Sequence, residues 1–77
     1  MSDEKKKLCF VRTKISMLID DFNKISKDKI DINDVIVNLK NKDIIFHIQY
    51  YVTLQNKYLE EKVNYLKERS HQNEEGN

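Results

Sequence analysis

The chain contains no proline and no tryptophan, a single glycine at Gly76 and a single cysteine at Cys9. Each absence removes a class of structure or chemistry. Proline and glycine punctuate tight turns and hairpins, so a sheet of several short strands is hard to build without them. One cysteine excludes a disulfide within the chain and suits a reducing compartment. Neither Cys-x-x-Cys nor His-x-x-x-His spacing occurs, and the two histidines, His47 and His71, are far apart, so metal ligation has no local support. There is no glycine-rich phosphate loop. No apolar run approaches the ~20 residues of a membrane span. The first residues, Met1-Ser2-Asp3-Glu4-Lys5-Lys6-Lys7, lack the apolar stretch of a signal peptide. These features lead us to expect a cytoplasmic or nuclear protein with no membrane partner, metal, cofactor or small-molecule substrate.

Charge of one sign is lacking as well. Fourteen lysines and arginines face thirteen acidic residues, for a net charge of +1. A dedicated nucleic-acid binder carries a larger basic excess. Lys5, Lys6, Lys7, Arg12 and Lys14 form a modest basic cluster, diluted by Asp3 and Glu4. A nucleic-acid accessory factor is therefore a secondary expectation, with a solvated helix end as the plainer reading. Catalysis is not expected. Cys9 lies one position off the seam of an amphipathic helix, with no base placed beside it by sequence. No pair of carboxylates is spaced to serve a pocket, and a helical chain this short has little room for a cavity that excludes water.

What the chain does have is helical periodicity. Leu8, Val11, Ile15, Leu18, Phe22 and Ile25 have 3-4-3-4-3 spacing, an unbroken heptad seam. The first helix is expected over about residues 3–26, with Asp3 and Glu4 in the first turn, where negative charge suits the helix dipole. Phe10 and Met17 fall one heptad apart on its far side, either as scattered surface residues or as a second contact line. Lys27 to Ile32 read as a connection. Asp31 is a suitable N-cap for a second segment over about 32–41, with Ile32, Val35, Ile36 and Leu39 on one face. The β-branched run Val35-Ile36-Val37 leaves a short strand as the alternative. The apolar face of this segment is out of phase with that of residues 44–59. A break is therefore expected near Asn41-Lys42-Asp43, with Asp43 as a new cap.

The last helix is expected over about 43–69. Its aliphatic line, Ile45, Ile48, Val52, Leu59, Val63 and Leu66, is assigned to the core seam with the six residues of the first helix. A second line, Ile44, Tyr51, Tyr58 and Tyr65 with Leu54 beside it, is assigned to partner binding, because tyrosine is enriched at interfaces. An intramolecular contact is its plainer alternative. Projected at ~100° per residue, the two lines merge into a face about 180° wide, broader than the roughly 100° a surface helix needs. His47 falls on the tyrosine edge, as a partly buried packing residue. Gln55, in the middle of the wide face, could fix register. Residues 70–77 form a polar tail expected to be disordered.

The expected architecture is all-α, either an antiparallel helical hairpin or a small three-helix arrangement with coiled-coil-like packing, and oligomeric. A folded chain of this length buries only about 60% of its unfolded surface. Small domains usually gain further stability from disulfides, metals or association, and only association remains open here. The expected function is that of a non-catalytic interaction subunit binding itself or a helical partner. A regulator that folds on its target protein is the other alternative.

Overall fold

A computed structural model describes the backbone of residues 2–76 and the side chains of residues 3–69. It contains three α-helices, α1 (Ser2–Ile25), α2 (Ile32–Leu39) and α3 (Ile44–Gly76), and no strand among the described residues. The β-branched run 35–37 is therefore helical, inside α2. A helix places Ile32, Val35, Ile36 and Leu39 on one buried stripe, and that burial outweighs the modest cost of β-branching. The backbone of residues 70–76, expected as a disordered tail, continues α3, while their side chains and all of Asn77 lie outside the described residues.

Local chemistry fixes both turns. At the end of α1, the Asn23 side-chain amide clasps the backbone of Ile30, donating to its carbonyl (2.9 Å) and accepting from its N–H (2.8 Å). Lys29 donates to the carbonyls of Asn23 and Ser26, which α1 leaves unpaired at its negative end. Ser26 Oγ accepts from the Asp28 N–H (3.1 Å), tightening the same turn. Asp31 caps α2 through the Asn33 N–H (3.0 Å). Asp43 caps α3 through the Phe46 N–H (2.9 Å). The break between α2 and α3 thus falls where the phase of the apolar residues changes.

The direction of the helices differs from a single long hairpin. Arg12 meets His47, and Phe22 lies under Lys57; both pairs are 35 residues apart. Because the partners advance together, α1 and α3 run parallel. The short α2 carries the chain back between them, forming one helical hairpin with α1 and a second with α3. Of the two expected arrangements, the three-helix one is present, and a single antiparallel hairpin of the first and last helices is not. The reason is length, since α2 rises only ~12 Å and must be followed by a second reversal. The stagger leaves α1 protruding at one end and α3 at the other, in a rod 59 Å long and 18 by 14 Å across.

The core is small. Ile15, Ile19, Leu39 and Leu54 form its buried cluster, with Val11, Leu18, Ile30, Ile32, Val35, Tyr50 and Tyr51 packed around it. Phe22 is also buried. Along the α1 seam Ile15 and Phe22 are fully covered, and Leu8, Val11, Leu18 and Ile25 are half-buried. Ile19, absent from that seam, is covered because α2 lies over the next edge of α1.

Replacing Asn23 with Ala removes both bonds of the clasp and leaves the Ile30 backbone groups partly buried without partners. A loss of about 1–3 kcal/mol is expected, read by urea denaturation. An unchanged midpoint would mean that the turn holds without the clasp.

Candidate functional site

The two apolar lines of α3 occupy the opposite sides from those expected. The residues facing α1 and α2 are Ile44, His47, Tyr51, Leu54, Tyr58, Glu61 and Tyr65, all buried or half-buried. Their unbroken 3-4-3-4-3-4 spacing is that of a helix-packing seam. The aliphatic line is the outer one. Ile45, Ile48, Val52, Leu59, Val63 and Leu66 are each between 47% and 62% exposed. The assignment of these six to the core seam is corrected, and the five residues assigned to a partner, Ile44, Tyr51, Leu54, Tyr58 and Tyr65, lie on the intramolecular side. The aliphatic stripe is apolar enough to be buried, but no element among the described residues covers it.

Tyrosine suits the inner line for a physical reason. Its ring spans the gap between helices while its hydroxyl reaches the edge. Cationic groups then lie over the rings. Lys62 lies over Tyr58 (5.9 Å) and Arg69 over Tyr65 (5.6 Å), with Arg69 also donating to the Tyr65 hydroxyl (3.3 Å). Lys57 covers Phe22 at 5.8 Å. These pairs are largely intramolecular cladding.

His47 is fully buried rather than a half-buried edge residue. Its Nδ1 lies 2.7 Å from the Asp43 carbonyl oxygen, and the Arg12 Nε–H donates to its Nε2 at 3.2 Å. A carbonyl only accepts, so Nδ1 carries the proton and Nε2 is the acceptor. This neutral imidazole joins α1, α3 and the turn before α3. Arg12 is thereby turned inward. Lys5, Lys6 and Lys7 are exposed, and Lys14 lies over the Phe10 ring at 5.4 Å. Arg12 still lines one hollow with Lys5, while Lys6 and Lys7 rim another. Cys9 is exposed. Among the described residues, no three His, Cys, Asp or Glu side chains are grouped to hold a metal, and no helix is long and apolar enough to cross a membrane.

The outer stripe has neighbours on α1. Phe10, itself exposed, borders a shallow apolar hollow with Val11, Ile44 and Ile48, and Lys6 and Lys7 form its rim. Met17, one heptad along the same face of α1, is also exposed. Gln55 and Asn56 lie on the two edges of the stripe at its midpoint, both exposed. The signal that identifies the inner line was present in the sequence as its unbroken spacing. It was obscured because two of its seven positions, His47 and Glu61, are polar.

A pair of substitutions tests the reversal. Tyr58→Ala, on the inner line, is expected to cost about 2–4 kcal/mol through lost packing, whereas Leu59→Ala, one residue away on the outer line, should change the stability of the monomer by less than ~0.5 kcal/mol. Equal losses in thermal denaturation at low protein concentration would contradict the assignment of the two faces. Alkaline titration offers a second check. Burial pushes the Tyr50 phenol above the ordinary 10.0. A raised folded-state value makes the folded protein hold this proton more tightly, so the associated stability is complete below pH ~10 and declines as the pH rises through the folded value. Tyr50→Phe should flatten that alkaline decline, and an identical pH profile would exclude the phenol as its source.

The chain matches no protein-family model, no curated protein and no solved structure.

Proposed function

We propose that the protein is a non-catalytic interaction subunit, a short helical rod whose work is to bind another protein chain through the outer face of α3. The observation that carries this reading is the stripe of six half-exposed aliphatic side chains from Ile45 to Leu66. At 1.5 Å per residue it runs ~32 Å along the rod. Six aliphatic residues left about half exposed amount to roughly 600 Å² of apolar surface, at the upper end of the largest patch on an ordinary monomer. The first half of this segment is depleted in charge. Residues 44–56 contain no Asp, Glu, Lys or Arg, in a chain where 35% of residues are charged. Depletion of charge along an exposed apolar surface is a compositional mark of an interface core.

The stripe suits a helical partner better than a small ligand. It is a straight ridge with shallow flanks, and a second amphipathic helix laid along it would bury apolar residues in every turn. The plainer role of the tyrosines is internal packing, so the docking residues in this reading are Ile45, Ile48, Val52, Leu59, Val63 and Leu66.

The test is the double variant Val52→Lys with Leu59→Lys. Both sites are exposed, so the isolated chain should stay helical by circular dichroism. Chemical cross-linking in the source cell should join the wild-type chain to a protein partner, its own copy or another. The double variant should lose this capture by about tenfold or more, the equivalent of ~1.4 kcal/mol of interface energy. Undiminished capture by a folded double variant would show that the stripe is not the docking face.

A further inference from the structure

We infer that the occupant of the outer stripe is a second copy of this chain, lying antiparallel across it about a two-fold axis that passes between Gln55 and Asn56. This rests on the reading of the stripe as a docking face and specifies the partner.

Three observations carry the inference. The first is symmetry in the stripe itself. Ile45 and Leu66 are equidistant from the point between Gln55 and Asn56, as are Ile48 and Val63, and Val52 and Leu59. A two-fold interface is isologous, so that each residue meets its symmetry-related counterpart's position in both directions. Reversing the helix about that point therefore sets Ile45 against Leu66, Ile48 against Val63 and Val52 against Leu59 of the other copy, and every apolar residue of the stripe finds an apolar partner. The helical phase agrees. At ~100° per residue, the direction midway between Gln55 and Asn56 is also the centre line of the stripe. Gln55 of each copy then lies beside Gln55 of the other on one flank of the seam, and Asn56 beside Asn56 on the other flank. Each amide carries both donors and an acceptor, so the two residues of each pair can satisfy one another while fixing the register.

The second is charge. The half of α3 from 44 to 56 has no charged side chain, while 57 to 69 has seven: Lys57, Glu60, Glu61, Lys62, Lys67, Glu68 and Arg69. The antiparallel pair sets the charges that flank the stripe, Glu60, Lys62 and Lys67, level with residues 51 to 44 of the other copy, which carry none. It also opposes the two helix dipoles.

The third is area. Phe10 borders the stripe beside Ile48, and Phe10 and Met17 are 63% and 58% exposed. With Phe10 the apolar surface on this side reaches roughly 750 Å², close to the ~800 Å² each partner contributes to a standard interface. The dimer would be a six-helix arrangement, with two copies of α3 at its centre and the copies of α1 and α2 outside them.

The experiment combines mass and orientation. Light scattering on the wild-type protein should give twice the 9.3 kDa of one chain, and the Val52→Lys, Leu59→Lys variant should halve it. Orientation is read in a background with Cys9→Ser, since Cys9 is exposed. Mild oxidation of an equimolar mixture of Val52→Cys chains and Leu59→Cys chains should form the mixed disulfide, while either variant alone should cross-link at most weakly. A monomer at all concentrations up to ~1 mM overturns the second copy as occupant. The docking reading itself would survive that result if cross-linking in the cell still depended on Val52 and Leu59. A dimer in which each cysteine variant cross-links efficiently with itself overturns the antiparallel arrangement. So does a dimer that persists in the double-lysine variant, because its interface must then lie elsewhere.

Discussion

His47 lies where α1, α3 and the turn between α2 and α3 meet, and its two ring nitrogens bind to two of them, Arg12 on α1 and the Asp43 carbonyl in the turn. The rest of the fold depends on the register this contact sets. With Arg12 held against His47, each successive heptad of α1 advances beside one of α3. Ile19 comes level with Leu54, and Ser26 with Glu61. The buried cluster is the middle of this ladder, and Phe22 under Lys57 repeats the same offset of 35 residues. A buried imidazole without partners would be costly; with one donor and one acceptor satisfied, it becomes a directional fastener that an aliphatic residue could not replace.

The parallel alignment of α1 and α3 has a consequence for the surface. Once α2 has returned the chain, α1 and α2 cover adjoining sides of α3, and no described helix covers the third. The inner line needs side chains that bridge a gap and still reach water, and Tyr51, Tyr58 and Tyr65 do this. The outer line is wholly aliphatic and lies open along its length. Association would complete the core of such a short chain in the way disulfides or metals complete others. In the proposed dimer the same helix would serve two interfaces, an inner one rich in tyrosine and an outer one of Ile, Val and Leu.

Much of the fold could be read from particular residues. The 3-4 spacing from Leu8 to Ile25 locates α1, the capping chemistry of Asp31 and Asp43 locates the starts of α2 and α3, and the change of apolar phase around Asn41 locates the break between them. The faces of α3 were legible only in part. Ranking its residues by apolarity selects the aliphatic line as the core, because His47 and Glu61 interrupt the other. Unbroken spacing, given priority over apolarity, would have selected the inner line correctly. The role of Arg12 was not legible, since a basic residue near three lysines reads as part of a cluster until its partner 35 residues away is known.

The amino-acid sequence by itself determined that the chain is helical, where its helices begin, and that α3 carries more apolar surface than one neighbour can cover. These properties depend on neighbours within a turn or two, on capping hydrogen bonds and on the 3.6-residue period. Tertiary structure alone decided which way α3 is turned about its axis and that it runs parallel to α1. Periodicity records the angle between two lines on a helix but not which line faces inward. That choice depends on the direction in which α2 returns the chain, and on how aromatic rings and a neutral histidine fit the space against α1.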